Sequence, residues 1–211
     1  MNAGHPLDLV LLVPGADERE TFGTLLSERP QSLGIRPLKV ELLKHPRRDP
    51  GCFHEAHSLL QPYVTQASRA LVVFDRQGSG QENSAPHEIA AELRSRLAAS
   101  GWEDRAAVVV LDPELEVWVW SSSPHVPQIL GWQNQRLAVR DWLEEQGFWP
   151  QSATKPNRPK EALERVLRVT RVRRSAALYA RLASLVGLAT CTEPSFDQFR
   201  NVLRAWFPAE R

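Results

Sequence analysis

The chain has 211 residues, 42% of them apolar and 24% charged, with a formal net charge of +1. That is enough apolar material for a packed core of one ordinary domain, or one domain with an appended subdomain, and near-neutrality excludes nucleic-acid binding over the whole surface. Cys52 and Cys191 lie far apart with no CxxC spacing, which excludes a zinc site built on them alone and fits a reducing compartment.

The N-terminal residues carry no basic region, and Leu7 to Val13 is too short for a signal core or a membrane span. A soluble, cytoplasmic protein with no membrane association is therefore expected. Leu7 to Val13 reads instead as a first buried strand, closed by Pro14-Gly15. Asp17 to Glu28 carries Phe22, Leu25 and Leu26 at helical spacing. Arg36 to Leu43 reads as a second strand with Leu38, Val40 and Leu42 on one face. A polar loop, His45 to Gly51, precedes a helix over Phe53 to Thr65. Ala70 to Phe74 is a third strand, ended by Asp75-Arg76-Gln77-Gly78-Ser79-Gly80. Pro86 to Ser100 has the periodicity of an amphipathic helix, and Ala106 to Leu111 is a fourth strand. Beyond residue 112 the pattern is helical only, over Arg136 to Gln146, Lys160 to Val172, Ser175 to Leu185 and Ser195 to Trp206. Gln151 to Pro159 is a polar connector. Short apolar strands alternating with helices predict an α/β fold: a parallel sheet of about four strands flanked by helices, over 1–122, with a helical half, 123–211, packed on it.

In open parallel sheets, ligands gather outside the carboxyl ends of the strands. The acids of this chain fall there: Asp17 and Glu18 after strand one, Asp75 after strand three, and Asp112, Glu114 and Glu116 after strand four. Carboxylates brought together repel unless a cation or a set of donors offsets them. Magnesium takes hard oxygen ligands and keeps several waters, so two or three carboxylates suffice. A competing reading is structural. Asp112-Pro113-Glu114 has the order of a helix start, with Asp at the N-cap, Pro at N1 and Glu against the helix dipole. Glu116, set among Leu115, Trp118 and Val119, is the acid that reading explains least.

The glycines of Asp75 to Gly80 would let backbone approach an anion, as in phosphate loops, or simply turn strand into helix. From Lys155 to Arg181, nine basic residues face two acidic ones, a local charge of +7. That stretch, including Lys160, Arg168, Arg171, Arg173 and Arg174, is either a surface for a phosphate backbone or acidic partner, or a solvated helix face. The tryptophans are read as core, with Trp118 and Trp120 as the wall beside Glu116. The histidines show no paired-ligand spacing.

Three segments carry a family likeness: Val13-Pro14-Gly15-Ala16-Asp17-Glu18, Val73-Phe74-Asp75-Arg76-Gln77-Gly78, and Pro113-Glu114-Leu115-Glu116-Val117-Trp118. Their order resembles the Toprim-like domains of bacterial phage-defence proteins. The resemblance is strongest to the group in which a Toprim-like half precedes a helical half, related to the overcoming-lysogenization-defect nucleases. There is a further likeness to small components of methylation-associated defence systems. The resemblance implies a component of an anti-phage system, with Glu18, Asp75 and Glu116 as catalytic and Mg2+-holding residues of a metal-dependent nuclease or phosphoryl-transfer enzyme. It implies nucleic acid and other defence-system proteins as partners. The sequence departs from that pattern where Pro14 stands for the family's glutamate and Gln77 for the second aspartate of Asp-x-Asp. Those departures imply an altered or lost chemistry, and with it the alternative of a non-catalytic adaptor that binds a partner through its basic C-terminal helices.

Overall fold

The computed structural model describes residues 5–188, 191 and 193–209. Part of the N-terminal reading above falls on residues 1–4, outside that set. Four strands, β1 (Leu7–Val13), β2 (Val40–Lys44), β3 (Ala67–Asp75) and β4 (Ala106–Leu111), form one sheet in the order β2-β1-β3-β4. All three pairings are parallel. The expected α/β fold with four parallel strands, flanking helices and a helical C-terminal half is what the chain adopts.

Helices α1 (Ala16–Glu28) and α2 (Pro30–Leu33) link β1 to β2, α3 (Arg48–Leu60) links β2 to β3, and α4 (Pro86–Leu97) links β3 to β4. The C-terminal half supplies α5 (His125–Ile129), α6 (Val139–Glu145), α7 (Pro159–Thr170), α8 (Ala176–Leu185) and α9 (Pro194–Trp206). Among the described residues no helix is long and apolar enough to cross a membrane.

Strand periodicity assigns the two faces. Val10 and Leu12 of β1 point into a core with Phe53 and Leu60 of α3 and Ile89, Leu93 and Leu97 of α4. Leu9, Leu11 and Val13 point the other way, into a core with Phe22 and Leu25 of α1. Two long connecting helices cover the first face, whereas the second has only α1 and the four-residue α2, which adds Leu33. The C-terminal half fills the remainder: Leu163 and Val166 of α7, Leu182 of α8 and Phe199 and Leu203 of α9 belong to the same core as β1. The two halves thus share the core on that second face. Each of these fully buried side chains contributes about 1.5–3 kcal/mol by leaving water.

Several boundaries differ from expectation. Strand β2 begins at Val40, because the preceding extended segment is held by Asp8, whose carboxylate accepts the Lys39 N–H at 2.8 Å and pairs with Arg36 at 2.6 Å. Helix α3 begins at Arg48, so most of the expected polar loop is helix. Gly51 permits this, since a Cβ there would lie inside the buried His45 ring. The segment after β4 also departs. Asp112 does not cap a helix; it pairs with Arg76 at 2.9 Å, at the surface. A 3-10 turn over Leu115–Trp118 follows, with Glu114 at its N-cap position.

Trp118 and Trp120 tie that turn to the C-terminal half. Trp118 Nε1 donates to Ser195 Oγ at 2.8 Å, and its ring meets Phe22 and Phe196 edge-on. Trp120 Nε1 donates to the Pro159 carbonyl at 3.0 Å and packs on Trp149. These rings are core, not the wall of the polar site described next.

Candidate metal centre at the sheet edge

In a parallel sheet of order β2-β1-β3-β4 the strand order reverses between β1 and β3, and a crevice opens outside their carboxyl ends. A polar cavity of about 150 Å³ lies there, lined by Pro14, Gly15, Ala16, Asp17, Glu18, Arg48, Asp49, Asp75, Glu116, Lys160 and Arg174. Its position follows from the connections. The loop after β1 supplies Pro14 to Glu18, the start of α3 supplies Arg48 and Asp49, β3 ends on Asp75, and the turn after β4 supplies Glu116.

Asp75 is 7% exposed and Glu116 2% exposed. Asp75 Oδ1 accepts the Leu115 N–H at 2.9 Å, which fixes the turn carrying Glu116 against the end of β3. The Asp75 N–H in turn donates to Asp49 Oδ1 at 2.9 Å. Glu116 Oε1 accepts from Tyr179 at 2.6 Å and from Arg174 at 2.8 Å. The same guanidinium also reaches Asp17 at 3.2 Å and Glu164 at 3.0 Å. Glu114, 6% exposed, accepts the Lys160 N–H at 2.9 Å. Its carboxylate therefore serves the N-terminus of α7 rather than the turn it begins.

Glu18 folds back over Gly15, where a Cβ would come within 2.6 Å of its Oε2. Burial pushes the Glu18 carboxyl up to about 7, reinforced by the charges of Asp49, Asp17 and Glu116. Burial likewise raises Asp49. Asp75 is pushed well above the carboxylate range, first by burial and then by Asp49, Glu18, Glu116 and Glu114. Glu114 is raised by burial and by Glu116. Tyr179 is raised by burial and by Glu116 beside it. Burial alone would lower Arg174, but Tyr179, Glu116 and Asp17 outweigh it and hold the guanidinium charged.

Asp75, Glu114 and Glu116 each offer an oxygen within 4.8 Å of the other two. Opposite ligands on magnesium lie about 4.2 Å apart and on calcium about 4.6–5.2 Å, so this spacing fits one hard cation. Each carboxylate retains acceptor capacity beyond the hydrogen bonds just named, since two oxygens present about four lone-pair sites. The donor set suits a hard divalent ion without naming which.

Of the residues singled out from sequence, Glu18, Asp75 and Glu116 line one cavity, but the compact triad takes Glu114 in place of Glu18. Of the basic set, Lys160 lines the cavity, and Arg168, Arg171 and Arg173 are exposed. Arg174 turns inward to Glu116 rather than outward to a partner. Pro14 is buried in the cavity wall at the place where the resemblance expects a glutamate, while Gln77 is exposed and outside it. The glycine-rich loop is already filled: Glu82 Oε1 accepts the N–H groups of Gly78 at 2.7 Å and Gly80 at 3.3 Å. Sequence reasoning missed Asp49. Its signal was topological, since it follows β2 as Asp17 follows β1, but Asp-Pro-Gly reads as a turn. The Arg174 and Tyr179 partners left no local signal.

Fold and site together define an open parallel α/β protein with a buried acidic centre at its switch point. No family model, curated protein or solved structure matches the chain.

Proposed function

We propose that the protein is a divalent-cation-dependent enzyme of phosphoryl transfer, acting as a nuclease within a bacterial anti-phage system. One observation carries the reading: Asp75, Glu114 and Glu116 gather buried oxygens within 4.8 Å at the carboxyl edge of the sheet. A cation held there would polarise a phosphoryl oxygen or lower the pKa of a bound water. Glu18, whose carboxyl burial pushes up to about 7, would exchange a proton near neutral pH in this reading. Mg2+ is the proposed ion, on the resemblance to Toprim-like nucleases and on the all-oxygen donor set. The exposed Arg168, Arg171 and Arg173 are the proposed contacts to a nucleic-acid backbone. Other defence-system proteins and a cytoplasmic setting follow from the same resemblance.

The test is cleavage of single- and double-stranded DNA and RNA with Mg2+ or Mn2+, using the intact chain and Asp75→Asn. Cation-dependent cleavage, lost by about 100-fold or more in the variant, is expected. Cleavage that persists in EDTA, or is indifferent to Asp75, would sink the proposal.

A second reading has its own observation. Arg174 already neutralises Glu116 and Asp17 from within the chain. An acidic centre with a built-in counter-ion suits a non-catalytic adaptor that keeps the fold of a nuclease. Under that reading the chain binds a partner protein or nucleic acid and cuts nothing with any cation.

A further inference from the structure

Two cations line the acidic cavity without being consumed by it. Arg48 and Lys160 both contribute to its wall, and neither side chain forms a hydrogen bond or ion pair among the described residues. Arg174 differs, being committed to Glu116, Asp17 and Glu164. Simple counter-ions of buried carboxylates would be expected to close onto them, as Arg174 does. Arg48 and Lys160 lower the Asp49 carboxyl through space but stop short of contact.

The backbone fixes where both side chains start. Arg48 sits at φ 51°, a left-handed conformation that favours glycine, at the first position of α3. Lys160 is fixed through its own N–H, which Glu114 accepts at 2.9 Å. Lys160 also lines a second polar cavity of about 470 Å³, with Gln77, Asn157 and Arg158. The first cavity, at about 150 Å³, has room for several waters, each occupying about 30 Å³ of liquid, or for a tetrahedral oxyanion beside a cation. The second is large enough for the group such an oxyanion would be attached to.

We infer that Arg48 and Lys160 form a phosphate subsite next to the carboxylate triad, so that the cavity takes a phosphate ester together with a divalent cation. The inference rests on the carboxylates holding that cation. A dianion would otherwise face five carboxylates and only three cations. With a cation on the carboxylates, the Lys160 ammonium and the Arg48 guanidinium would supply the remaining positive charge to the phosphate oxygens. Lys acts as a point charge and Arg as a two-pronged donor. The organic remainder of the ester lies towards Gln77 and Asn157, past Lys160.

Two separate measurements on the full chain test this. Mn2+ binding is followed by the loss of its free EPR signal. Inorganic phosphate and a 5′-phosphorylated trinucleotide with uncharged, uncleavable methylphosphonate linkages are titrated calorimetrically in saturating Mn2+, with the same trinucleotide lacking its 5′-phosphate as control. The variants are Arg48→Gly, which relieves the left-handed backbone, and Lys160→Gln, which keeps the N–H to Glu114. Each is expected to weaken phosphate by roughly tenfold or more, the size of one lost charge-assisted bond. Mn2+ should bind both variants as well as or better than the parent chain, because a nearby positive charge is gone. Tighter binding of the 5′-phosphorylated trinucleotide than of inorganic phosphate identifies the ligand as an ester; equal binding restricts the subsite to free phosphate and overturns the ester half of the inference. Mn2+ binding with no phosphate binding, or with phosphate indifferent to both substitutions, overturns the subsite alone. Failure of Mn2+ to bind the parent chain overturns the cation reading and the subsite with it.

Discussion

The two sides of the acidic cavity solve the same electrostatic problem in opposite ways. On one side Glu116 is met by a guanidinium and a phenol hydroxyl, at 2.8 and 2.6 Å. On the other, Asp75, Asp49 and Glu18 have backbone donors and no ion pair among the described residues. The paired side is built like a structural ion pair, in which loss of one member strands the other. On the unpaired side burial disfavours ionisation and raises the pKa of all three acids. Stability alone does not favour that arrangement, and the cation proposed for Asp75, Glu114 and Glu116 would offset it. Backbone geometry adds a structural claim on several of these acids, since Asp17, Glu18 and Asp49 each occupy the first turn of a helix. Dipole effects of about 0.3–1 kcal/mol per acid do not offset the burial of Asp75, which ends a strand.

Emptying the paired side should cost the most stability. Glu116→Ala leaves Arg174 and the Tyr179 hydroxyl without their shared acceptor. Arg174 keeps 30% side-chain exposure and two other carboxylates, so the loss falls at the low end for a broken buried pair, about 3 kcal/mol. Urea denaturation in cation-free buffer measures it. A loss well under 1 kcal/mol would show that the two sides do not differ in kind.

The unpaired side should show itself through pH. Glu18 moves from an ordinary 4.5 to about 7 on folding, so between those values the folded chain binds more protons than the unfolded one. Stability therefore falls as pH rises through that window. Below it both states are protonated and nothing is lost; above it the penalty is complete. Asp49 and Asp75, also raised, act in the same direction. Lys160, Arg48 and Arg174, which line the same cavity, limit the effect. Allowing for solvent screening at half-buried Glu18, the apo protein should lose on the order of 2 kcal/mol between pH 5 and pH 8. Saturating Mn2+ at pH 8 should restore it, by about 2.7 kcal/mol at a hundredfold excess over Kd. Denaturation at both pH values, with and without Mn2+, checks the sign; a chain more stable at pH 8 without metal contradicts it.

How much of this was readable in the sequence follows from which interactions are local. The strands were legible because parallel strands covered on both faces become apolar runs, as in Leu7 to Val13 and Ala70 to Phe74. The acids at their carboxyl ends were legible because topology fixes that edge as soon as the strands alternate with helices. What joins them was not. Arg174 and Tyr179 reach Glu116 across 58 and 63 residues, and no spacing rule connects such partners. Glu114 looked like the first turn of its own helix but caps α7, which begins 45 residues later. The Gly78 to Gly80 loop had the composition of an anion cradle, and Glu82 fills it from within the chain. Asp49 was hidden by Pro50 and Gly51, which read as a turn and are in fact the opening of α3.

Substituting Asp75 should shift stability the other way, by less, and the outcome separates a site from a structural cluster. Asp75→Asn keeps an oxygen to accept the Leu115 N–H and replaces a buried carboxyl, surrounded by Asp49, Glu18, Glu116 and Glu114, with a neutral amide. The new amide protons can donate to those neighbours. The apo variant should therefore gain about 1 kcal/mol at pH 8, because a buried carboxyl whose ionisation the surroundings disfavour is replaced by an amide. It should also lose the Mn2+-dependent gain of the parent chain. If Asp75 were only a cap for the turn after β4, the substitution would cost stability and leave any metal response intact. Thermal denaturation of the two chains side by side, each with and without Mn2+, distinguishes these outcomes because they differ in the sign of two separate shifts.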